Sequence, residues 1–244
     1  MTTTLLTQRT AIVTGSASGI GEATVIALEQ QGYKIVGIDI NAHKRALSDS
    51  FLPMQCDIRD EEKLIAAFDS ALQFLGRLDV LVTSAGVAEM TPFMEITSQQ
   101  FRDVYEVNVI ATFTCIREAA KRMQSGGRIC TVASVAGIRG GGLSGTGAYA
   151  ASKGAVLALT KNAARALAPM GISVNTIAPG ATLTPMIAQQ WKNDAHRSRV
   201  EAMSALNRTA EANEIASAIA FLVSAQASAL TGSTLVADNG LVMY

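Results

Sequence analysis

The 244-residue sequence reads as one doubly wound α/β domain, a parallel sheet covered by helices on both faces in three layers. Three observations point there. Short β-rich runs alternate with longer helical patterns along the chain, the rhythm of right-handed βαβ crossovers. Hydrophobic residues make up 49% and charged residues 16%, enough apolar surface to cover both faces of such a sheet. No linker, low-complexity stretch or charge block breaks the rhythm, so residues 1–244 are expected to form a single unit.

Residues 10–13 are the first expected strand. A glycine loop follows, then a helix with Ile20, Ala23, Ala27 and Leu28 on one face and Gly32 as its terminator. Residues 34–40 make a second strand and residues 53–56 a short third. Asp60, with Glu61 and Glu62, opens a helix carrying Leu64, Phe68, Ala71 and Leu75, and Gly76 ends it. Residues 80–83 are the next strand. A long helix over residues 98–122 starts at Thr97, which has capping-box spacing to Gln100. The second half repeats the pattern: a strand at 128–133, an alanine-rich helix at 150–168 and a strand at 172–177. A helical stretch at 214–224 and a strand at 233–237 close the chain.

Composition narrows the function. Twenty basic residues balance twenty acidic ones, so there is no basic excess to neutralise phosphates and nucleic acid is not an expected partner. No apolar run approaches the roughly 18 residues needed to span a bilayer. The stretch from Met1 to Thr10 lacks the basic and apolar regions of a secretory leader. Cys56, Cys115 and Cys130 are odd in number and widely spaced, and His43 and His196 are the only histidines; neither a disulfide framework nor a metal site is expected. The expectation is a soluble, reduced, cytoplasmic protein that acts on small molecules.

The run Thr14-Gly-Ser-Ala-Ser-Gly-Ile-Gly follows the first strand and opens the first helix. Gly15, Gly19 and Gly21 would permit a tight turn and close approach of a diphosphate, which the helix N-terminus attracts. The spacing is not G-x-G-x-x-G, and a glycine-rich turn that holds nothing is the alternative. Asp39 ends the second strand, where a carboxylate can accept from ribose hydroxyls and repel a 2′-phosphate, favouring NAD over NADP. Lys44 and Arg45 nearby count against that preference. Asp57, after the third strand, either accepts from an adenine amino group or merely begins a turn.

Tyr149-Ala-Ala-Ser-Lys153 puts a phenol and an ammonium on one helix face. Charges about 4 Å apart at an effective dielectric near 20 attract by roughly 4 kcal/mol. That would bring the phenol from about 10 towards 7 before desolvation subtracts, making it a usable general base.

Together, Thr14 to Gly21, Asp39, Asn108, Ser134, Tyr149 with Lys153 and Pro179-Gly-Ala-Thr-Leu-Thr184 resemble the short-chain dehydrogenase/reductase family over essentially residues 8–244. The resemblance implies a Rossmann-type sheet and reversible hydride transfer between a nicotinamide and a carbonyl or alcohol carbon. It implies Tyr149 as general acid/base, Lys153 on the nicotinamide ribose and the tyrosine, Ser134 on the substrate oxygen, and Asn108 keeping a water in a proton relay from Lys153. Around the cofactor it implies Gly15, Ser18, Gly19, Ile20, Gly21, Asp39, Asp57, Ile58, Ala85, Gly86, Tyr149, Lys153, Pro179, Gly180, Thr182 and Thr184; Ile20 and Val107 could equally be core. Asp238-Asn-Gly240 resembles the family's closing turn and reads as structural.

Two departures stand out. Thr83-Ser-Ala-Gly86 replaces a motif that usually begins with asparagine, an expected stability cost. Ser134 and Tyr149 are 15 apart where about 13 is usual; the surplus lies among Gly140, Gly141, Gly142, Gly145 and Gly147, which can absorb it. An NAD-dependent secondary-alcohol dehydrogenase or ketone reductase is the leading expectation, and a 3-oxoacyl thioester reductase the alternative. A nucleotide sensor or scaffold would have no reason to keep Ser134, Asn108, Tyr149 and Lys153 together. Lys192, His196, Arg197 and Arg199 could attract an anionic substrate, although Asp194 and Glu201 dilute them.

The small side chains of helix 150–168, beside helix 98–122, would let a partner helix approach, and the resemblance implies a homotetramer. Residues 185–206, with Met186, Ile187, Trp191, Met203 and Leu206 among polar residues, are expected to form a mobile lid over an apolar pocket; a fixed surface helix is the alternative.

Overall fold

In the computed structural model, which describes residues 8–141, 147–188 and 190–243, nine strands follow the chain. They are β1 (Thr10–Thr14), β2 (Lys34–Asp39), β3 (Phe51–Gln55), β4 (Val80–Thr83), β5 (Arg128–Val132), β6 (Ser173–Pro179), β7 (Thr182–Leu183), β8 (Ala210–Glu211) and β9 (Thr234–Ala237). Seven of them form one parallel sheet in the order β3-β2-β1-β4-β5-β6-β9. The chain therefore runs outward from β1 to β3, then returns to β4 on the other side of β1. That reversal opens a crevice at the carboxyl ends of β1 and β4. Residues 1–7, and with them most of the stretch read for a leader, lie outside the described residues, as do Gly142 and Gly145.

Strand alternation divides the core between two faces. Ile12, Val36, Leu81 and Ile129 point to one face, where they meet helices α2 (Glu61–Leu75), α4 (Ala111–Arg122) and α6 (Gly147–Leu167). Ala11, Val13, Val82 and Val132 point to the other, against α1 (Gly19–Gln30) and α9 (Ala212–Leu222). On α2, Leu64, Phe68, Ala71 and Leu75 are all buried, the stripe that their spacing predicts. Each large side chain buried this way contributes roughly 1.5–3 kcal/mol. The ends of α2 are local too: the Asp60 carboxylate accepts from Lys63 N–H (3.1 Å), and Gly76 closes the helix at φ 79°.

Some boundaries differ from expectation. β2 stops at Asp39 rather than Ile40, which is 53% exposed, because the Asp39 carboxylate takes the Asn41 N–H (2.8 Å) and turns the chain. β3 begins at Phe51, before Pro53; as an edge strand it can hold a residue with no N–H. The long helix is α3 (Ser98–Tyr105) and α4 joined through a π-helical turn, Glu106–Ile110, which contains Asn108. α6 starts at Gly147, three residues early. A one-turn helix, α5 (Ala136–Arg139), and the small parallel pair β7–β8 were not foreseen. Among the described residues, no helix is long and apolar enough to cross a membrane.

Candidate active site

The loops beyond the carboxyl ends of β1 to β6 enclose a cavity of about 450 Å³. Every cofactor and catalytic residue expected from the sequence lines it except Gly21 and Asn108, which support it from behind.

At the β1 end, close packing requires the glycines. Gly15 has φ +70°, and a Cβ there would lie 2.5 Å from Ala85 N. A Cβ at Gly21 would come within 2.0 Å of the Gly15 carbonyl oxygen. These two glycines therefore let the loop pack directly on the chain after β4 and on itself, and Gly15, Ser18, Gly19 and Ile20 line the cavity beside the α1 N-terminus, a place that suits a diphosphate. Ser18, the N-cap of α1, makes no capping bond, and its side chain is exposed to the cavity.

Asp39 is buried and ties the loop to β2, accepting from Ala17 N–H (3.0 Å) as well as Asn41 N–H. Arg45, which weighed against NAD, is ion-paired with Glu29 and stacked over the Phe51 ring at 4.8 Å. Asp57 is also engaged, accepting from Arg59 Nε to both oxygens (3.0 Å each), so an adenine amino group would share it with Arg59. Ile58, Ile20 and Val107 touch both the cavity and the core. Sequence reading missed one contact here: Ser16 Oγ and His43 Nε2 share a hydrogen bond (2.8 Å). Burial lowers the His43 pKa. A loop residue 27 positions away carries no local signal of such a partnership.

At the β5 end, Ser134 lies just past the strand and hydrogen-bonds Tyr149. Lys153 is buried and donates to the Val132 carbonyl (2.8 Å). Its Nζ sits 5.8 Å from the Tyr149 ring centroid. Desolvation dominates the titration of both groups. Burial raises the Tyr149 phenol, with Ser134 opposing it, and burial pushes the Lys153 ammonium down to about 8.

Asn108 is 1% exposed. Its amide donates to Val87 O (3.0 Å) and Ser152 Oγ (2.9 Å) and accepts from Val87 N–H (2.9 Å). Both amide donors are thus spent on fixing the loop after β4 and the start of α6. The Thr83 hydroxyl and that of Thr14, its register partner, are buried with no hydrogen-bond partner among the described residues.

The titration of Lys153 gives a stability test. An unfolded lysine titrates at 10.5 and the folded one at about 8, so between these values the unfolded chain holds the extra proton. The burial cost is complete below pH 8 and fades as the pH rises. Relative to Lys153→Met, the native protein should therefore gain on the order of 2 kcal/mol between pH 7.5 and 10. Thermal melts at both values check this; a constant difference refutes it.

Thr184 lies across from the glycine loop, 3.3 Å from where a Gly19 Cβ would stand. The segment beyond it forms α7 (Pro185–Ala188) and α8 (Asp194–Glu201). Ile187, Trp191 and Val200 make a small core of their own. Trp191 is 9% exposed, and its indole N–H donates to Thr209 Oγ1 (3.2 Å). Met186 and Ile187 line the cavity, and Met186, Met203 and Leu206 are exposed. The Asp238 carboxylate accepts from Gly240 and Val242 N–H (3.0 and 2.7 Å), a structural role as read.

Residues 15–242 match the family model described as enoyl-(acyl carrier protein) reductase. The chain is 36% identical over 243 residues to a cis-4-hydroxycyclohexanecarboxylate dehydrogenase of Sinomonas cyclohexanicum, with 96% of each covered. It is 33% identical over 244 residues to a 3-oxoacyl-(acyl-carrier-protein) reductase, FabG, of Vibrio cholerae, covering 96% of this chain and 98% of that protein. The crystal structure of a dehydrogenase/reductase from Sinorhizobium meliloti 1021 aligns with a TM-score of 0.89 at 35% identity, over 96% of this chain and 95% of that one.

Proposed function

The chain belongs to the short-chain dehydrogenase/reductase family, whose members use NAD or NADP, and on that footing we propose an NAD-dependent oxidoreductase of secondary alcohols and ketones. The observation that carries this reading is the meeting of Ser134, Tyr149 and Lys153 in the cavity that the glycine loop also lines.

A bound dinucleotide would be held by Gly15, Ser18, Gly19 and Ile20 at the glycine loop, by Asp39 at its ribose, and by Pro179, Gly180, Thr182 and Thr184 beside its nicotinamide, and it would supply or accept the hydride. Tyr149, kept protonated by burial, gives its proton to the substrate oxygen in reduction and takes one back in oxidation. Ser134 donates to the same oxygen, where negative charge builds up. Lys153, charged below about pH 8, would bind the nicotinamide ribose from its anchor on Val132. Asn108 acts as a positioning residue through Val87 and Ser152.

NAD is favoured because the Asp39 carboxylate repels a 2′-phosphate while Arg45 is held by Glu29. NAD(H) should exceed NADP(H) in kcat/KM by about tenfold or more, and Asp39→Ala should narrow the gap. Equal efficiency in the native enzyme would refute this choice. A 3-oxoacyl thioester reductase is the second reading, favoured by the likeness to FabG; NADPH preference with turnover of such thioesters would select it. The basic residues of α8 lend it little, since Arg197 pairs with Asp194 and Arg199 leans on His196.

The same reading takes the enzyme as a cytoplasmic homotetramer, supported by the exposed Ile110 and Phe113 on the helix beside α6. It takes residues 185–206 as the substrate lid, hinged at Thr184 and moving with Trp191 already packed.

A further inference from the structure

The cavity is divided sharply by charge. Asp39, Asp57 and Arg59 lie at the ends of β2 and β3, and among the described residues Lys153 is the only charged one of the lining beside Ser134 and Tyr149. Lys153 is buried and already donates to Val132. Much of the rest of the lining is hydrocarbon, with Val87, Ala88, Val135, Ala136, Met186 and Ile187, and Thr182 and Thr184 add two uncharged hydroxyls. The approach is apolar as well. Phe93 packs against Gly147, two residues before Tyr149, where a Cβ would meet its ring at 3.1 Å. Phe93 is 75% exposed and Met94 90%.

We infer that the substrate is an uncharged, largely hydrocarbon ketone or secondary alcohol, with no carboxylate, phosphate or polyol chain near the reacting carbon. This rests on the oxidoreductase reading above and narrows it. A carboxylate brought to this end would lose its hydration and find no cation free to pair with it. Polyol hydroxyls would compete for Ser134 and Tyr149, and any surplus would be left unpaired. Each added methylene is rewarded instead.

The test compares kcat/KM of the native enzyme with NADH on 2-pentanone through 2-octanone, 4-oxopentanoate, dihydroxyacetone and 3-oxobutanoyl-CoA. Efficiency is expected to rise up to about fourfold per methylene along the ketone series. 2-Pentanone is expected to exceed 4-oxopentanoate, its carboxylated counterpart, by about tenfold or more. A preference for 4-oxopentanoate, dihydroxyacetone or the thioester over 2-pentanone overturns the inference and leaves hydride transfer standing. No turnover of any of them, with NADH bound, overturns both. Met186→Arg supplies the missing cation at a half-exposed position where folding is not at stake. It should narrow the ratio of 2-pentanone to 4-oxopentanoate by about tenfold; an unchanged ratio would remove Met186 from the substrate path and the inference with it.

Discussion

Tyr149→Phe is expected to slow turnover by about 10²–10⁴-fold while leaving NADH affinity nearly unchanged. The phenol is the one proton donor that the cavity brings to Ser134, and its burial keeps the proton on at neutral pH. Phenylalanine keeps the ring and removes only the hydroxyl. Lys153 keeps its anchor on Val132. The glycine loop at Gly15 and Gly21 lies at the other end of the cavity and is untouched. Steady-state rates with a fluorescence titration of NADH separate the two effects. Native turnover in the variant would sink the mechanism.

Gly137→Ala should be nearly as damaging, although Gly137 bears no reactive group. It lies in α5, where a Cβ would stand 2.5 Å from Gly154 N and from the Lys153 carbonyl carbon. Those are backbone atoms of α6 and cannot swing aside, so α5 must move away and take the neighbouring Ser134 with it. Overpacking of this kind costs about 1–3 kcal/mol, a loss of roughly 2–12 °C in a chain of this size. A shift of about 1 Å between catalytic groups costs about 100-fold in kcat. Gly154→Ala is the internal control, since its Cβ would meet the Gly137 carbonyl oxygen at a milder 3.3 Å. Gly137→Ala should lose both melting temperature and kcat, and Gly154→Ala far less. Equal behaviour of the two variants would show that the close approach does not hold the site together.

Much of this architecture is written locally. The apolar stripe on α2, its Asp60 and Gly76 ends and the Thr97–Gln100 capping box each depend on residues within a turn or two. The same holds for the glycine loop, whose position between a strand and a helix marks a nucleotide cradle before any coordinates are known. The spacing of Tyr149 and Lys153 also put both residues on one helix, as found.

Spacing could not say where the Lys153 ammonium goes. Helical periodicity specifies a face, whereas the partner on that face comes from another element, here the Val132 carbonyl of β5. The direction of the phenol's titration was equally out of reach, because it follows from burial opposed by Ser134, and both are set by packing. Asn108 was legible as a polar residue that needed explaining inside a helix. Its partners, Val87 and Ser152, lie 21 and 44 residues away and come within reach only when the sheet forms. Ser16 meets His43, Arg45 meets Glu29 and Trp191 meets Thr209 in the same way. The order and type of the main strands and helices, with the caps at Asp60, Gly76 and Thr97, follow from short-range backbone and side-chain preferences and can be read along the chain. Which hydroxyl, ammonium or indole finds which partner depends on groups far apart in the chain, which meet only once the elements have packed.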